Sequence, residues 1–333
     1  TVEREISPRA LLHTPAGEWV LDMGQNMVGW LEFVCREPAG TKIFLQFGEI
    51  LQDGNFYRDN LRTAEASFTY LSDGKERLVR QHFTFYGFRY VKLTGFSGKP
   101  NPESFRGLVI HSAMEDISRI STSNALVNKL YENVKWGQRG NFLDLPTDCP
   151  QRDERMGWTA DTQVFAPTAL YLSDAYAFYA KYLHDLYEEQ QEADGKVPDV
   201  VPSAGVDSCS SVWGDAATFI PWSLYQTYGD RSILEDQYDS MKQWVEYVRR
   251  LDGTDHHWRE VFHYGDWLAL DHPSGSVSEV RGGTDNGYIA NIYYAVSAGI
   301  LADSAAILGK TEDSEEYRSL SKGAGRGQAG VFQ

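Results

Sequence analysis

Between Trp19 and about Ile110 apolar and polar residues alternate in short runs: Trp30–Val34, Lys42–Phe47, Ala66–Leu71, His82–Phe85 and Phe88–Leu93. Gly40, Gly48, Gly54, Gly74, Gly87 and Gly95 punctuate them. Period-two alternation puts successive side chains on opposite faces of a strand, and turn residues at regular spacing predict an antiparallel β-sandwich or jelly roll. After His111 the period lengthens. Ser121-Thr-Ser-Asn124 is a helix-capping cluster, and Leu126, Val127, Leu130, Val134 and Trp136 follow at helical spacing. Further helices are predicted over about 161–172, 174–192, 216–228, 232–251, 286–308 and 312–320. Helices that keep pairing without intervening strands suggest a toroid of helical pairs around a central pocket. Six pairs need about a dozen helices, so the chain is expected to stop part-way round the ring. The predicted division is a β domain over 1–115 and a helical domain over 116–333. Lys322–Gly330 carries four glycines, each costing about 1 kcal/mol in a helix, so the last helix is expected to end there or lose regularity.

At the junction stands Asp148-Cys-Pro-Gln-Arg-Asp-Glu-Arg-Met-Gly-Trp-Thr-Ala-Asp161, with four acids, two arginines and an indole. Read as a helix start, with Asp148 or Cys149 as cap and Pro150 in the first turn, it places Glu154, Trp158 and Asp161 on one face. The arginines are then expected to turn outward, with Asp153 as a partner. The competing reading is a solvated amphipathic turn whose Trp158 is core.

Composition narrows the choice. A net charge of -16 and a pI near 4.9 disfavour nucleic acid and anionic membrane surfaces as partners, and a neutral ligand is the easier guess. The 9 Trp and 19 Tyr exceed core needs, and flat aromatic faces suit the C–H faces of sugar rings. Cys35, Cys149 and Cys209 are odd in number and widely spaced, which suggests neither a disulfide framework nor a zinc site. No apolar run reaches membrane-spanning length. Thr1–Arg9 lacks a signal-peptide pattern, so the protein is expected to be intracellular or to have lost a leader.

Two loops in the helical half, Pro198–Asp215 and Phe262–Asp271, each hold Trp, Gly and Asp in three consecutive positions: Trp213-Gly-Asp215 and Gly265-Asp266-Trp267. Loops at a toroid's mouth face a ligand. His256, His257 and His263 near Asp255, Glu260 and Asp266 match no metal-ligand spacing and read as solvated or core residues. Trp244, Tyr247 and Val248 read as core. Arg281–Asn286 reads as a loop and helix cap, with Asp285 a minor candidate for lining the pocket. There is no Gly-x-Ser-x-Gly elbow and no phosphate-binding loop.

These residues resemble the bacterial α-L-rhamnosidases of glycoside hydrolase family 78 along nearly the whole chain. The block from Asp148 to Trp158 is the most specific match. Asp22–Trp30, Tyr57–Arg62, Phe85–Tyr90, Trp213–Asp215, Gly265–Trp267 and Leu301–Tyr317 support it. Ala160 stands where glycine is commoner. The resemblance implies a β-sandwich followed by an (α/α)6 barrel, and an inverting hydrolase that removes terminal α-L-rhamnose from glycosides or polysaccharides, without metal or cofactor. Glu154 matches the general acid, Asp148 and Asp161 carboxylates that bind rhamnose hydroxyls, and Trp158, Trp213 and more loosely Trp267 walls of the sugar pocket. Asp215 and Asp266 join the substrate-binding candidates through their loops.

The resemblance also implies that the general base, and a histidine of the pocket, lie beyond residue 333. An acid needs a raised pKa to carry its proton, which nearby Asp148 and Asp161 carboxylates and the Trp158 ring would supply. Asp161 and Asp215 are the candidates for a base within the chain. Two other readings are a non-catalytic carbohydrate-binding or structural module and an (α/α)6 glycosidase of other sugar specificity; the 148–158 block argues against the latter.

Overall fold

The structure, a computed structural model, describes residues 2–253, 256, 258, 261–269 and 280–326. His257, Asp255, Glu260 and Asp271 lie outside the described residues, as does the chain after Arg326. Contacts divide the chain into two compact units, residues 1–115 with 119–155 and residues 116–118 with 156–333.

The first unit opens with ten strands in sequence: β1 (Val2–Ile6), β2 (Ala10–His13), β3 (Trp19–Cys35), β4 (Lys42–Gly48), β5 (Ile50–Gln52), β6 (Asn55–Tyr57), β7 (Ser67–Leu71), β8 (Arg77–Val79), β9 (Tyr86–Thr94) and β10 (Phe105–Ile110). Eight form one antiparallel sheet in the order β1-β10-β3-β9-β4-β7, with β2 and β8 also pairing on β3, while β5 and β6 make a separate hairpin. The predicted alternation is the burial pattern: Leu31, Phe33 and Cys35 on β3 and Ile43, Leu45 and Phe47 on β4 are fully buried, and the residues between them less so. Each such side chain contributes about 2 kcal/mol by leaving water. Gly29 is required where β3 meets β10, because a Cβ there would sit 1.8 Å from the Leu108 carbonyl oxygen.

His82–Phe85, predicted as a strand, is a loop. Phe83 takes a left-handed φ of 57° and is wholly exposed, which breaks the pleat. The neighbouring groups serve β3 instead: the Gln81 side chain accepts from the Leu31 N–H at 3.1 Å, and the Trp30 indole donates to the Thr84 carbonyl.

Helix α1 (Ala125–Asn141) starts at the predicted cap, with the Asn124 side chain accepting from the Leu126 N–H at 2.9 Å. It belongs with the sheet unit rather than with the later helices, because Gly140 lets it approach Val28 and Trp136 packs on the sheet core. Strands β11 (Phe142–Leu143) and β12 (Leu145–Pro146) form a minimal hairpin before residue 148.

The second unit contains α2 (Thr159–Leu172), α3 (Tyr176–Glu192), α4 (Ala216–Tyr228), α5 (Ser232–Leu251), α6 (Asn286–Ile307) and α7 (Thr311–Arg326). These match the predicted segments closely. Gly229, at φ 68°, ends α4 in the left-handed conformation that lets α5 turn back. Trp244 and Val248 are core as read, and Tyr247 stacks on Trp244 at 5.9 Å. Helix α7 does not stop at its glycines: Gly323 lies where a Cβ would come within 3.0 Å of the His256 ring, so the missing side chain permits that approach. Among the described residues no helix is long and apolar enough to cross a membrane.

Candidate active site

The motif from Asp148 does not begin a helix. Residues 148–157 form an irregular loop, and α2 starts at Thr159 with Trp158 as its N-cap. Two features prevent earlier helix. Arg155 has φ 56°, a conformation that a right-handed helix cannot contain. The backbone at 157–159 is extended because it pairs with 199–201: the Thr159 N–H donates to the Asp199 carbonyl at 2.9 Å and the Val201 N–H to the Gly157 carbonyl at 2.9 Å. Glu154, Trp158 and Asp161 therefore do not share one helix face. Asp161 is exposed in the first turn of α2, where its charge favours the helix dipole.

The loop is built around charge. The Arg152 guanidinium donates to an Asp148 oxygen at 3.1 Å and to Glu154 Oε2 at 3.0 and 3.2 Å, bridging the two carboxylates. Arg62, next to the short helical turn Asp59–Leu61, donates to the same Glu154 oxygen at 3.1 Å and lies 3.8 Å from Asp153. The hydroxyl and N–H of Thr63 both donate to Asp153. Those bonds, outweighing desolvation, hold its carboxyl below the usual range. Arg155 buries its guanidinium 4.4 Å over the Phe85 ring and donates to the Phe85 carbonyl at 3.0 Å.

The expectation that the arginines turn outward is thus corrected: Arg152 faces the carboxylates and Arg155 is an anchor. The partner near Asp153 is Arg62. Side-chain exposure is 6% for Asp148 and 23% for Glu154, so Glu154 remains reachable by a ligand.

Ligand atoms of Asp148, Cys149 and Glu154 lie within 4.8 Å of one another, a spacing that could hold a cation. The chemistry opposes it. Burial pushes the Cys149 thiol up to about 11, so it stays protonated, and the Arg152 cation already bridges both carboxylates.

In the second unit the structure supplies an aromatic cluster centred on Tyr264. Trp213 lies 4.2 Å from it, Phe262 4.9 Å, Trp267 5.1 Å and Trp158 6.3 Å, centroid to centroid. Trp213 is buried, Trp158 half-buried, and Trp267 45% exposed. Asp199 is buried beside the cluster; burial raises its pKa, against hydroxyl bonds from Ser208, Ser210 and Tyr264. Asp266 is half-buried against Gly282, where a Cβ would come within 2.7 Å of the Asp266 Cβ, and the backbones of Trp267 and Arg281 pair alongside.

Asp215 takes a different part from the one its loop suggests. It is 1% exposed and accepts from the Trp244 indole at 3.0 Å, the Ser297 hydroxyl at 2.6 Å and the Val212 N–H at 2.7 Å, tying the start of α4 to α5 and α6. With those three donors upon it, it braces the helices rather than meeting a ligand. Asp285 is the cap of α6, accepting from the Tyr288 N–H at 2.7 Å. His263 is buried, accepting from the Ser211 N–H and donating to the Trp258 carbonyl; burial lowers its pKa, so it is a neutral core residue.

Sequence reading named Glu154, Asp148, Trp158, Trp213 and Trp267 as candidates; it did not name Arg152 and Arg62, which lie against the carboxylates of the first unit, or Tyr264 and Asp199, which lie in the aromatic cluster of the second. Tyr264 adjoins Gly265-Asp266-Trp267, and that adjacency was the available signal. Arg62 ends the family-like run Tyr57–Arg62, but nothing local ties it to Glu154, 92 residues on.

Flat rings suit the apolar face of a sugar, and a carboxylate gripped by guanidiniums is held in one place with its charged form favoured, which suits hydroxyl binding. Comparison with known proteins bears on this chemistry. Residues 12–111 match the family model described as the bacterial alpha-L-rhamnosidase concanavalin-like domain, and residues 115–325 the bacterial alpha-L-rhamnosidase 6 hairpin glycosidase domain. A curated alpha-L-rhamnosidase of Streptomyces avermitilis is 42% identical over 323 residues, 96% of this chain and 30% of that protein. The crystal structure of Streptomyces avermitilis alpha-L-rhamnosidase complexed with L-rhamnose superposes with a TM-score of 0.88 at 41% identity, over 97% of this chain and 30% of that one. The alpha-L-rhamnosidase from Dictyoglumus thermophilum superposes at 0.89 with 34% identity, over 98% of this chain and 36% of that one. The chain spans about a third of the length of these relatives.

Proposed function

The chain belongs to the bacterial α-L-rhamnosidase family, and on that premise we propose that it carries the proton donor and part of the sugar pocket of an inverting glycosidase. The substrate is a terminal α-L-rhamnose on a glycoside or polysaccharide. The observation that supports this most is the position of Glu154, a partly exposed carboxyl fixed by Arg152 beside Asp148; the guanidiniums upon it favour its ionised form, so the proton-donor role also requires a bound sugar to raise its pKa by excluding water.

In this reading Glu154 passes its proton to the glycosidic oxygen as the bond to the anomeric carbon breaks. A second carboxylate, roughly 6.5–9.5 Å away across the ring, activates the attacking water. Arg152 and Arg62 both donate to Oε2 and fix the plane of the carboxyl. Asp148 and Asp161 bind sugar hydroxyls, and Trp158, Trp213, Tyr264 and Trp267 supply the apolar wall, with Asp266 beside it.

The second carboxylate is proposed downstream of residue 333, in the remainder of an (α/α)6 barrel. Large apolar side chains exposed on helices, Val164 at 63% and Tyr171 at 76% on α2 and Ile292 and Val296 on α6, support continuation by further helices. Asp215 is a poor alternative base, because its oxygens already serve three donors.

The experiment is a release assay on an aryl α-L-rhamnoside with the 333-residue chain and with a polypeptide extended to the length of the relatives. Turnover is expected from the extended form and little or none from the short one. Equal turnover would place the base inside this chain, with Asp161 the first residue to test. A narrower test concerns Tyr264. In the extended polypeptide Tyr264→Ala should weaken L-rhamnose binding about tenfold, or about 1.4 kcal/mol, measured by tryptophan fluorescence titration. Unchanged affinity would remove the cluster from the pocket.

A further inference from the structure

We propose that an open cavity in the first unit, beside Glu154, is the leaving-group subsite, and that it accepts an uncharged, hydroxylated group such as a second sugar residue. The inference rests on Glu154 being the general acid. A donor must lie within hydrogen-bond reach of the glycosidic oxygen, so the atoms beyond that oxygen fall on the donor's side of the bond. The cavity has a volume of about 370 Å³, within the range of small-ligand clefts, and its wall includes Glu65, Ser67, Thr84, Arg152 and Glu154.

Its shape is held from several sides. Arg58 donates to the carbonyls of Ala64 and Glu65, Leu61 is buried beneath the loop, and Thr63 grips Asp153. Arg155, fixed on Phe85, also lines it. The lining holds the side chains of Ser67 and Thr84, three carboxyl groups and two guanidiniums. Tyr86 contributes no flat face, because its ring stacks on Phe47 at 4.0 Å, is 7% exposed, and sends its hydroxyl to the Ser67 carbonyl. Hydroxyl and carboxylate groups without an open ring favour a polyhydroxylated partner over a flat aromatic one. The β-sheet unit would then take part in choosing the substrate.

The test uses the extended polypeptide and two substrates, an α-L-rhamnosyl-glucose disaccharide and α-L-rhamnosyl fluoride, whose leaving fluoride fills no subsite. Glu65→Trp narrows the cavity from an exposed position, and Thr84→Val removes a hydroxyl at nearly constant volume. The ratio of kcat/KM for disaccharide over fluoride is expected to fall about tenfold or more in Glu65→Trp and severalfold in Thr84→Val. A ratio that stays constant in both variants, whether the two rates hold or fall together, would overturn the subsite. If the wild-type extended polypeptide hydrolyses neither substrate, the catalytic reading fails first and this one with it. Hydrolysis of the fluoride alone by the wild type would count against the subsite only.

Discussion

Replacing Glu154 by glutamine in the extended polypeptide is expected to lower kcat on a rhamnosyl disaccharide about 10²–10⁴-fold while the fold survives. The amide keeps the size of the side chain and an acceptor for Arg152 and Arg62, but it cannot deliver a proton. The loss should be smallest for substrates whose leaving group needs no proton, such as rhamnosyl fluoride, and largest for sugar or alkyl leaving groups. That gradient separates a lost acid from a disturbed loop, which would depress all substrates alike. Unchanged turnover of the disaccharide would remove Glu154 from the chemistry. The guanidiniums offer a second check. Deleting the Arg62 cation in Arg62→Gln makes it harder to ionise Glu154, so the alkaline limb of the pH–rate profile, where the acid loses its proton, should move to higher pH.

The largest expected change in stability comes from Asp215→Ala, at about 3 kcal/mol or more, because the Trp244 indole, the Ser297 hydroxyl and the Val212 N–H lose their buried acceptor together. In thermal unfolding this corresponds to a drop of about 6–12 °C. Asp215→Asn should cost less, since its carbonyl oxygen still accepts.

The pH dependence has a definite sign. Burial raises the Asp215 pKa, against bonds from Ser297, Trp244 and Val212 that lower it. A carboxyl raised in the folded state contributes stability that is fully present below its unfolded pKa and lost as pH climbs through the folded one. The stability of wild type relative to Asp215→Asn should therefore decline as pH rises from the acid range. A difference independent of pH would show that Asp215 keeps one charge state throughout.

Much of the architecture was written in short-range pattern. The alternation through Leu31, Phe33 and Cys35 could belong only to a strand with one buried face, and the cap at Asn124 and the run Ser232–Leu251 announced their helices. The residue types needed for sugar chemistry, and the family resemblance carried by 148–158, were also legible along the chain. Each of these is a property of residues within a few positions of one another, where period and capping act.

The folded chain alone decided the shape of the loop over 148–157 and the partners of its charges. Helical spacing predicted one face for Glu154, Trp158 and Asp161, but strand-like pairing with 199–201 and the left-handed Arg155 prevailed, since backbone groups there find partners across the chain. Arg62 reaches Glu154 over 92 positions, Tyr264 gathers rings from three separate loops, and Asp215 is claimed by Trp244 and Ser297 from two other helices. Local period carries no record of such meetings, because a salt bridge or ring contact depends on distance in space, and packing alone sets that distance.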